Sequence, residues 1–205
     1  MGKQRLVRLI VTAVLVGAGL LVVAGGIPAG AASPTWQVQA SLPPTPFVPN
    51  TPELSSVSCP VANRCVAVGG GSIVTTSDGG QHWANQTAPR LAPGKYLRLV
   101  SVSCPSISHC VAVSEAGNSP MILVTSNGGT TWTAQPLFTS ASSSASVSCG
   151  TVSNCVIVGV GEVLTTIDGG THWATHTVPS GVIIYQVTCV TAARCLATGK
   201  NYAHF

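Results

Sequence analysis

Charge is scarce in this sequence. Only 7% of its 205 residues are Asp, Glu, Lys or Arg, and just five are acidic, so chemistry built on paired carboxylates has few groups to draw on. Aromatic residues are also few, at 5%. Beyond residue 31 no stretch keeps a helical period, which excludes solenoids of stacked helix pairs. A basic stripe is missing as well. The formal charge of +4 comes from nine basic and five acidic residues, and three of the nine, Lys3, Arg5 and Arg8, stand ahead of an apolar run. Without those three, six basic residues face five acidic ones, a net charge of +1. So neutral a chain lacks the cationic surface that displaces counterions from phosphates, and nucleic acid is excluded as a partner.

The apolar run spans Leu9 to Ala24 and is followed by GGIPAG and by the small-residue triplet Ala29-Gly30-Ala31. A basic start, an apolar middle and an A-x-A site in that order form a secretory signal peptide over residues 1–31. An uncleaved signal anchor is the alternative, because the run approaches the roughly 20 residues a spanning helix needs. A membrane is expected as a partner only by that route. The absence of a cysteine after the run argues against a lipoprotein anchor. About 170 residues remain, enough for one domain with a sizeable core. Their surface must be largely Ser, Thr, Asn, Gly and backbone, as suits a secreted or cell-envelope protein.

Cysteine supplies the strongest order in the chain. The eight cysteines form four C-x5-C pairs, Cys59/Cys65, Cys104/Cys110, Cys149/Cys155 and Cys189/Cys195. Eight cysteines allow 105 pairings, and a repeat that supplies two each time makes local pairing the simplest. Zinc knuckles and thioredoxin-type motifs use shorter spacings. No metal or cofactor is expected, and export favours disulfides.

Aligned on these pairs, the first cysteines lie 45, 45 and 40 residues apart, a period typical of a four-stranded propeller blade. Residues 32–53 precede the repeats, which divide into 54–98, 99–143, 144–184 and a partial unit 185–205. Within one unit SSVSC, CVAVG, IVTTS and HWANQT read as short strands, parted by turn residues at PVANR, GGGS and DGG. The expected fold is all-β: a β-propeller of about four four-stranded blades, complete or truncated, with a disulfide in each.

Three nonapeptides repeat within these units: TTSDGGQHW, VTSNGGTTW and TTIDGGTHW. Their pattern resembles the Asp-box, or bacterial neuraminidase repeat, carried by Asp78, Gly79, Gly80 and Trp83, by Asn127, Gly128, Gly129 and Trp132, and by Asp168, Gly169, Gly170 and Trp173. The longer phrase G-x-I/V-L-x-T-x-D-G-G-x-x-W is similar to the photosystem II stability and assembly factor type of propeller. That resemblance spans residues 54 to 199. It implies an assembly or scaffolding role, with the boxes away from any active site.

The residues themselves favour a turn. A carboxylate can accept backbone N–H bonds while a following glycine takes positive φ, and Asn127 shows that the position tolerates loss of charge. The tryptophan is expected in the next strand, filling space between blades. His82 and His172 share a repeat position that Thr131 occupies in the middle copy, so they are expected as solvent-facing strand residues rather than metal ligands.

TWQVQASLPP, at Thr35–Pro44, matches the fourth-strand segments, and the last unit lacks that strand. Trp36 therefore heads a strand that closes a ring of four, or else the propeller is truncated and its exposed edge dimerises. In a closed ring the C-x5-C and box turns share one face. The remaining loops form the other face, and they carry Arg90, Lys95, Tyr96, Arg98, Glu115, Glu162 and Tyr185 as candidate binding residues for a protein or a cell-envelope glycan. Of the acids, only Glu115 and Glu162 can serve a sialidase-like or other glycoside hydrolase, which needs two carboxyls about 5–9.5 Å apart. No arginine cluster accompanies them. The expectation is a non-catalytic module.

Overall fold

The computed structural model divides into two compact units, Met1–Gln37 and Val38–Phe205. It describes residues 54–90, 97–114, 121–136 and 146–202, all in the second unit. The signal segment and the closing strand expected at Trp36 lie outside the described residues.

Regular structure among the described residues is entirely β. Strands β1 (Ser56–Val61), β2 (Arg64–Gly69), β3 (Ser72–Thr76) and β4 (Ala84–Gln86) form one antiparallel sheet in sequence order. Strands β5 (Leu99–Ser103), β6 (Cys110–Ser114), β7 (Met121–Thr125) and β8 (Thr133–Pro136) form the second. The third holds β9 (Ser146–Cys149), β10 (Cys155–Val158), β11 (Glu162–Thr166) and β12 (Ala174–Thr177), and the fourth has only β13 (Val182–Thr191) and β14 (Arg194–Asn201). Successive sheets pack face to face as blades.

Stacking on both sides explains the composition of the second strands. CVAVS in β6 is buried throughout, because alternate side chains enter two different cores. Val66, Val68 and Ile73 meet Val102, Ala112 and Leu123 between the first and second sheets. Val111, Val113 and Ile122 point the other way, toward Val147, Ile157 and Leu164 of the third. Each such Val, Leu or Ile side chain contributes about 1.5–3 kcal/mol by leaving water.

The first strands meet through side-chain hydroxyls. Ser56 and Ser58 accept hydrogen bonds from the backbone N–H of Val102 and Cys104, at 3.1 and 2.9 Å. Ser101 and Ser103 do the same for Val147 and Cys149, at 3.1 and 3.0 Å. Ser146 and Ser148 repeat it for Val187 and Cys189, at 3.4 and 2.9 Å. The SxS spacing puts both hydroxyls on one face of a strand, aimed at N–H groups that have no partner in their own sheet.

All four expected disulfides are formed, one per sheet: Cys59–Cys65, Cys104–Cys110, Cys149–Cys155 and Cys189–Cys195. Each clamps the turn between a first and a second strand. Closing so short a loop is worth about 2 kcal/mol in the chain-entropy account.

The three Gly-Gly turns join third strands to fourth strands and share one hydrogen-bond plan. Thr76 donates to Asp78 Oδ1 at 2.8 Å and accepts from Gly80 N–H at 2.9 Å, and His82 N–H donates to Asp78 Oδ1 at 3.0 Å. Thr166, Asp168, Gly170 and His172 repeat this geometry. In the middle copy Asn127 Oδ1 accepts from Thr125 Oγ1 and Thr131 N–H, both at 2.9 Å. The histidines are not strand residues: His82 and His172 close the turns, with Nδ1 at 2.6 and 2.7 Å from the carboxylates of Asp78 and Asp168. Thr131 replaces them where Asn127 replaces Asp, and takes a 2.8 Å bond from the amide Nδ2 instead. The tryptophans also precede the strand by one residue. Trp132 nevertheless packs between the first two sheets, its indole N–H bonded to the Gly129 carbonyl at 3.0 Å.

Two glycines in each turn have φ between 70 and 93°, a region that costs other residues strain. A side chain at the first would also strike the disulfide turn: a Cβ on Gly128 would lie 2.9 Å from the Ile107 carbonyl oxygen, and one on Gly169 3.1 Å from that of Val152.

Ser103→Ala should lower the melting temperature through loss of about 1 kcal/mol, whereas Ser126→Ala, on an exposed turn residue, should leave it unchanged; thermal denaturation of both variants checks this. Gly169→Val should be severely destabilising and Asp168→Asn mild, read in the same way. The carboxyls of Asp78 and Asp168 are held below the usual carboxylate range, first by the backbone N–H of His82 and His172, then by their imidazoles and by Thr76 and Thr166. A depressed folded pKa stabilises above the unfolded value and loses that contribution as pH falls. Melting curves should therefore drop below about pH 4, and less steeply in Asp78→Asn/Asp168→Asn.

Candidate functional site

The two kinds of turn meet at one end of each of the first three sheets. Gly79, Gly128 and Gly169 donate their N–H groups to the carbonyls of Asn63, Ser108 and Ser153 in the neighbouring disulfide turns, at 3.0, 2.8 and 2.9 Å. At this end a cleft of about 310 Å³ opens between the first and second sheets. Arg64, Asp78, His82, Asn127, Trp83 and Ile107 are among the residues that line it. Asp78 is committed here. Its lone pairs are engaged within its own turn and its lowered pKa keeps it ionised at neutral pH, so it has no proton to give as a general acid.

The residues singled out in the loops lie elsewhere. Arg90 and Arg98 sit on the connection from β4 to β5, Glu162 at the start of β11, and Tyr185 in the half of β13 remote from its disulfide. By the alternation of antiparallel strands, these positions belong to the end opposite the disulfide turns. Lys95, Tyr96 and Glu115 lie outside the described residues, so the separation of the two glutamates required by a hydrolase is not defined. One carboxylate oxygen of Glu162, Oε2, is buried without a hydrogen-bond partner among the described residues.

Tyr185 is drawn into a cluster. Its phenol bonds that of Tyr202, which raises the pKa of Tyr185. Lys200, with Nζ 4.3 Å from the centre of the Tyr202 ring, lowers that of Tyr202 by hydrogen bonding, with a smaller effect from Tyr185. Both rings are nearly half exposed. Antiparallel pairing of β13 with β14 brings the three together. The only trace in the sequence is the i, i+2 spacing of Lys200 and Tyr202, which puts them on one face of a strand.

His109 gave no sequence signal. Its counterparts before the second cysteine are Arg64, Asn154 and Arg194, yet His109 is only 8% exposed, with Nε2 buried and without a hydrogen-bond partner among the described residues. The imidazole lies against the third sheet, so close to Gly169 that a Cβ there would be 3.3 Å from Cε1. Burial holds its pKa below the ordinary histidine value, opposed by a smaller influence of the nearby Gly169 backbone. It therefore favours the fold when neutral, and that contribution is lost as pH falls below the unfolded value.

Among the described residues no group of three or more His, Cys, Asp and Glu side chains is placed to hold a metal ion. No helix there is long and apolar enough to cross a membrane.

No family model matches this chain, and none of the curated proteins matches it. Among solved structures, YCF48 bound to D1 peptide is similar at 24% identity with a TM-score of 0.52, over 66% of this chain and 46% of that one. YCF48 from Cyanidioschyzon merolae is 22% identical with a TM-score of 0.46, over 65% and 46%. An ancestral GH74 enzyme is 16% identical with a TM-score of 0.49, over 65% and 20%. The chain thus spans less than half the length of the YCF48 structures it matches, and its likeness to the first of them, together with its stacked four-stranded sheets, makes the fold β-propeller-like.

Proposed function

We propose that this chain is a non-catalytic, extracytoplasmic propeller that binds a segment of another protein, in an assembly or scaffolding role. The Tyr185–Tyr202–Lys200 cluster carries this reading. It offers two half-exposed phenols and a cation on, and just beyond, the paired strands β13 and β14, and tyrosine is among the residues in which binding energy concentrates at protein interfaces. Arg90, Arg98 and Glu162 lie at the same loop end as further binding residues, and Lys95, Tyr96 and Glu115, outside the described residues, are proposed with them. The acids support the non-catalytic part, since Asp78 and Asp168 are tied into turns. Four disulfides fit an oxidising compartment, in keeping with the signal peptide expected over residues 1–31. A related fold, YCF48, has been solved with a D1 peptide bound.

Immobilised full-length chain should enrich one protein from the envelope fraction of its source, and Tyr185→Ala/Tyr202→Ala should abolish that enrichment. Retention on cell-wall polysaccharide with no protein captured would make it a glycan binder. Turnover of a chromogenic glycoside would overturn the non-catalytic reading.

A further inference from the structure

We propose that the cleft between the first and second sheets is a binding site for a small hydroxylated carboxylate, of about the size of a sugar acid. The cleft exists because this seam is sealed differently from the next one. Register and alternation place Arg64, Val66, Thr75 and Gln86 on the face of the first sheet that looks toward the second. His109, Val111, Val124 and Gln135 hold the same positions on the second sheet and look toward the third.

At the second seam two side chains close the gap. The His109 imidazole lies against Gly169, and Gln135 donates through Nε2 to the Gly170 carbonyl at 2.9 Å. Neither contact is made at the first seam. Gln86 donates instead to Thr75 Oγ1 of its own sheet, at 2.8 Å, and a Cβ on Gly128 would have no Arg64 atom within 4 Å. The third-strand hydroxyl decides which way the fourth-strand side chain turns. Val124, in the place of Thr75, has no polar atom to offer Gln135, whereas Thr165, in that place on the third sheet, again shares a hydrogen bond with its fourth-strand neighbour, His176, at 3.0 Å. The space left open at the first seam, about 310 Å³, is at the lower end of the range for small-molecule sites.

The lining selects an anion that also carries hydroxyls. Arg64 is exposed, and its guanidinium takes part in neither of the ion pairs among the described residues. A planar guanidinium meets a carboxylate with two parallel hydrogen bonds. The facing turn is the one that carries Asn127, so no acid lines the cleft from the second sheet; at the second seam the corresponding residue is Asp168. On the first sheet Asp78 has both carboxylate oxygens engaged, Oδ1 by Thr76 and the His82 N–H and Oδ2 by the His82 ring. Gln86 keeps its Oε1 as an acceptor, and Ser77, Asn127 and Thr130 add hydroxyl and amide groups. A bare anion would meet Arg64 alone, whereas a hydroxylated one reaches these groups as well.

The probe is glucuronate, titrated into the full chain by calorimetry beside acetate, inorganic phosphate and glucose. Expected is saturable binding of glucuronate with a Kd of about 1 mM or tighter, and each of the other three about tenfold weaker or more. Arg64→Gln changes an exposed residue and should weaken glucuronate about tenfold or more while leaving the melting temperature in place. Asn127→Asp keeps the acceptor that the other two turns use and should weaken glucuronate several-fold through its charge. Arg64→His/Thr75→Val reproduces the second seam, releases Gln86 toward the Gly129 carbonyl and should abolish binding; should it fail to fold, the two single variants decide. Absence of saturable binding, acetate or phosphate binding as tightly as glucuronate, or binding unmoved by Arg64→Gln overturns the proposal.

Discussion

The hydrogen bond that a serine hydroxyl accepts from a backbone N–H of the next blade is the interaction on which this architecture depends. Each sheet satisfies its own strands internally, and its first strand would otherwise present N–H groups to a neighbour that cannot pair with it as a β-ladder. A polar group buried without a partner costs about 1–3 kcal/mol. Two hydroxyls per seam remove that cost, at residue separations of 46, 46 and 41. The side chain must also be small, because the first strands lie against each other. Serine meets both demands, and so it recurs while the loops around it vary in length and composition.

A similar economy governs the turns between third and fourth strands. One side chain must accept from a threonine hydroxyl and from a backbone N–H, and its second polar atom must find a partner two bonds further out. Carboxylate with imidazole meets the requirement at Asp78–His82 and Asp168–His172; amide with hydroxyl meets it at Asn127–Thr131. The pairs change together because a carboxylate oxygen can only accept, whereas the amide nitrogen must donate. An acid used in this way serves geometry. That is why three motifs resembling those of a hydrolase-bearing family carry no catalytic argument here.

Function then falls to what the repeat leaves unoccupied. With charges so few, a single lysine beside two tyrosines is a distinct chemical feature of the surface. It stands on the sheet that holds two strands among the described residues. The cleft between the first two sheets lies at the opposite end, among turns whose polar groups are largely committed to one another.

Spacing and alternation in the sequence determined the blades, the four disulfides and the turn character of the Gly-Gly motifs, because each is a local relation within one repeat: cysteines six positions apart, facing side chains two apart, a Gly-Gly pair after Asp or Asn. The hydroxyl bonds between blades were not legible, since the partners stand more than forty residues apart and serine is common everywhere in the chain. His109 illustrates the same limit. Nothing in CPSISHC marks its histidine as buried where Arg64, at the same repeat position, is exposed; packing against Gly169 of the next blade decided it. Tyr185 was singled out as a loop residue, but its partners Tyr202 and Lys200 were assigned by the register of β13 on β14. Local geometry is written in neighbouring residues, whereas contacts between repeats depend on how the sheets stack, and that is a property of the assembled chain.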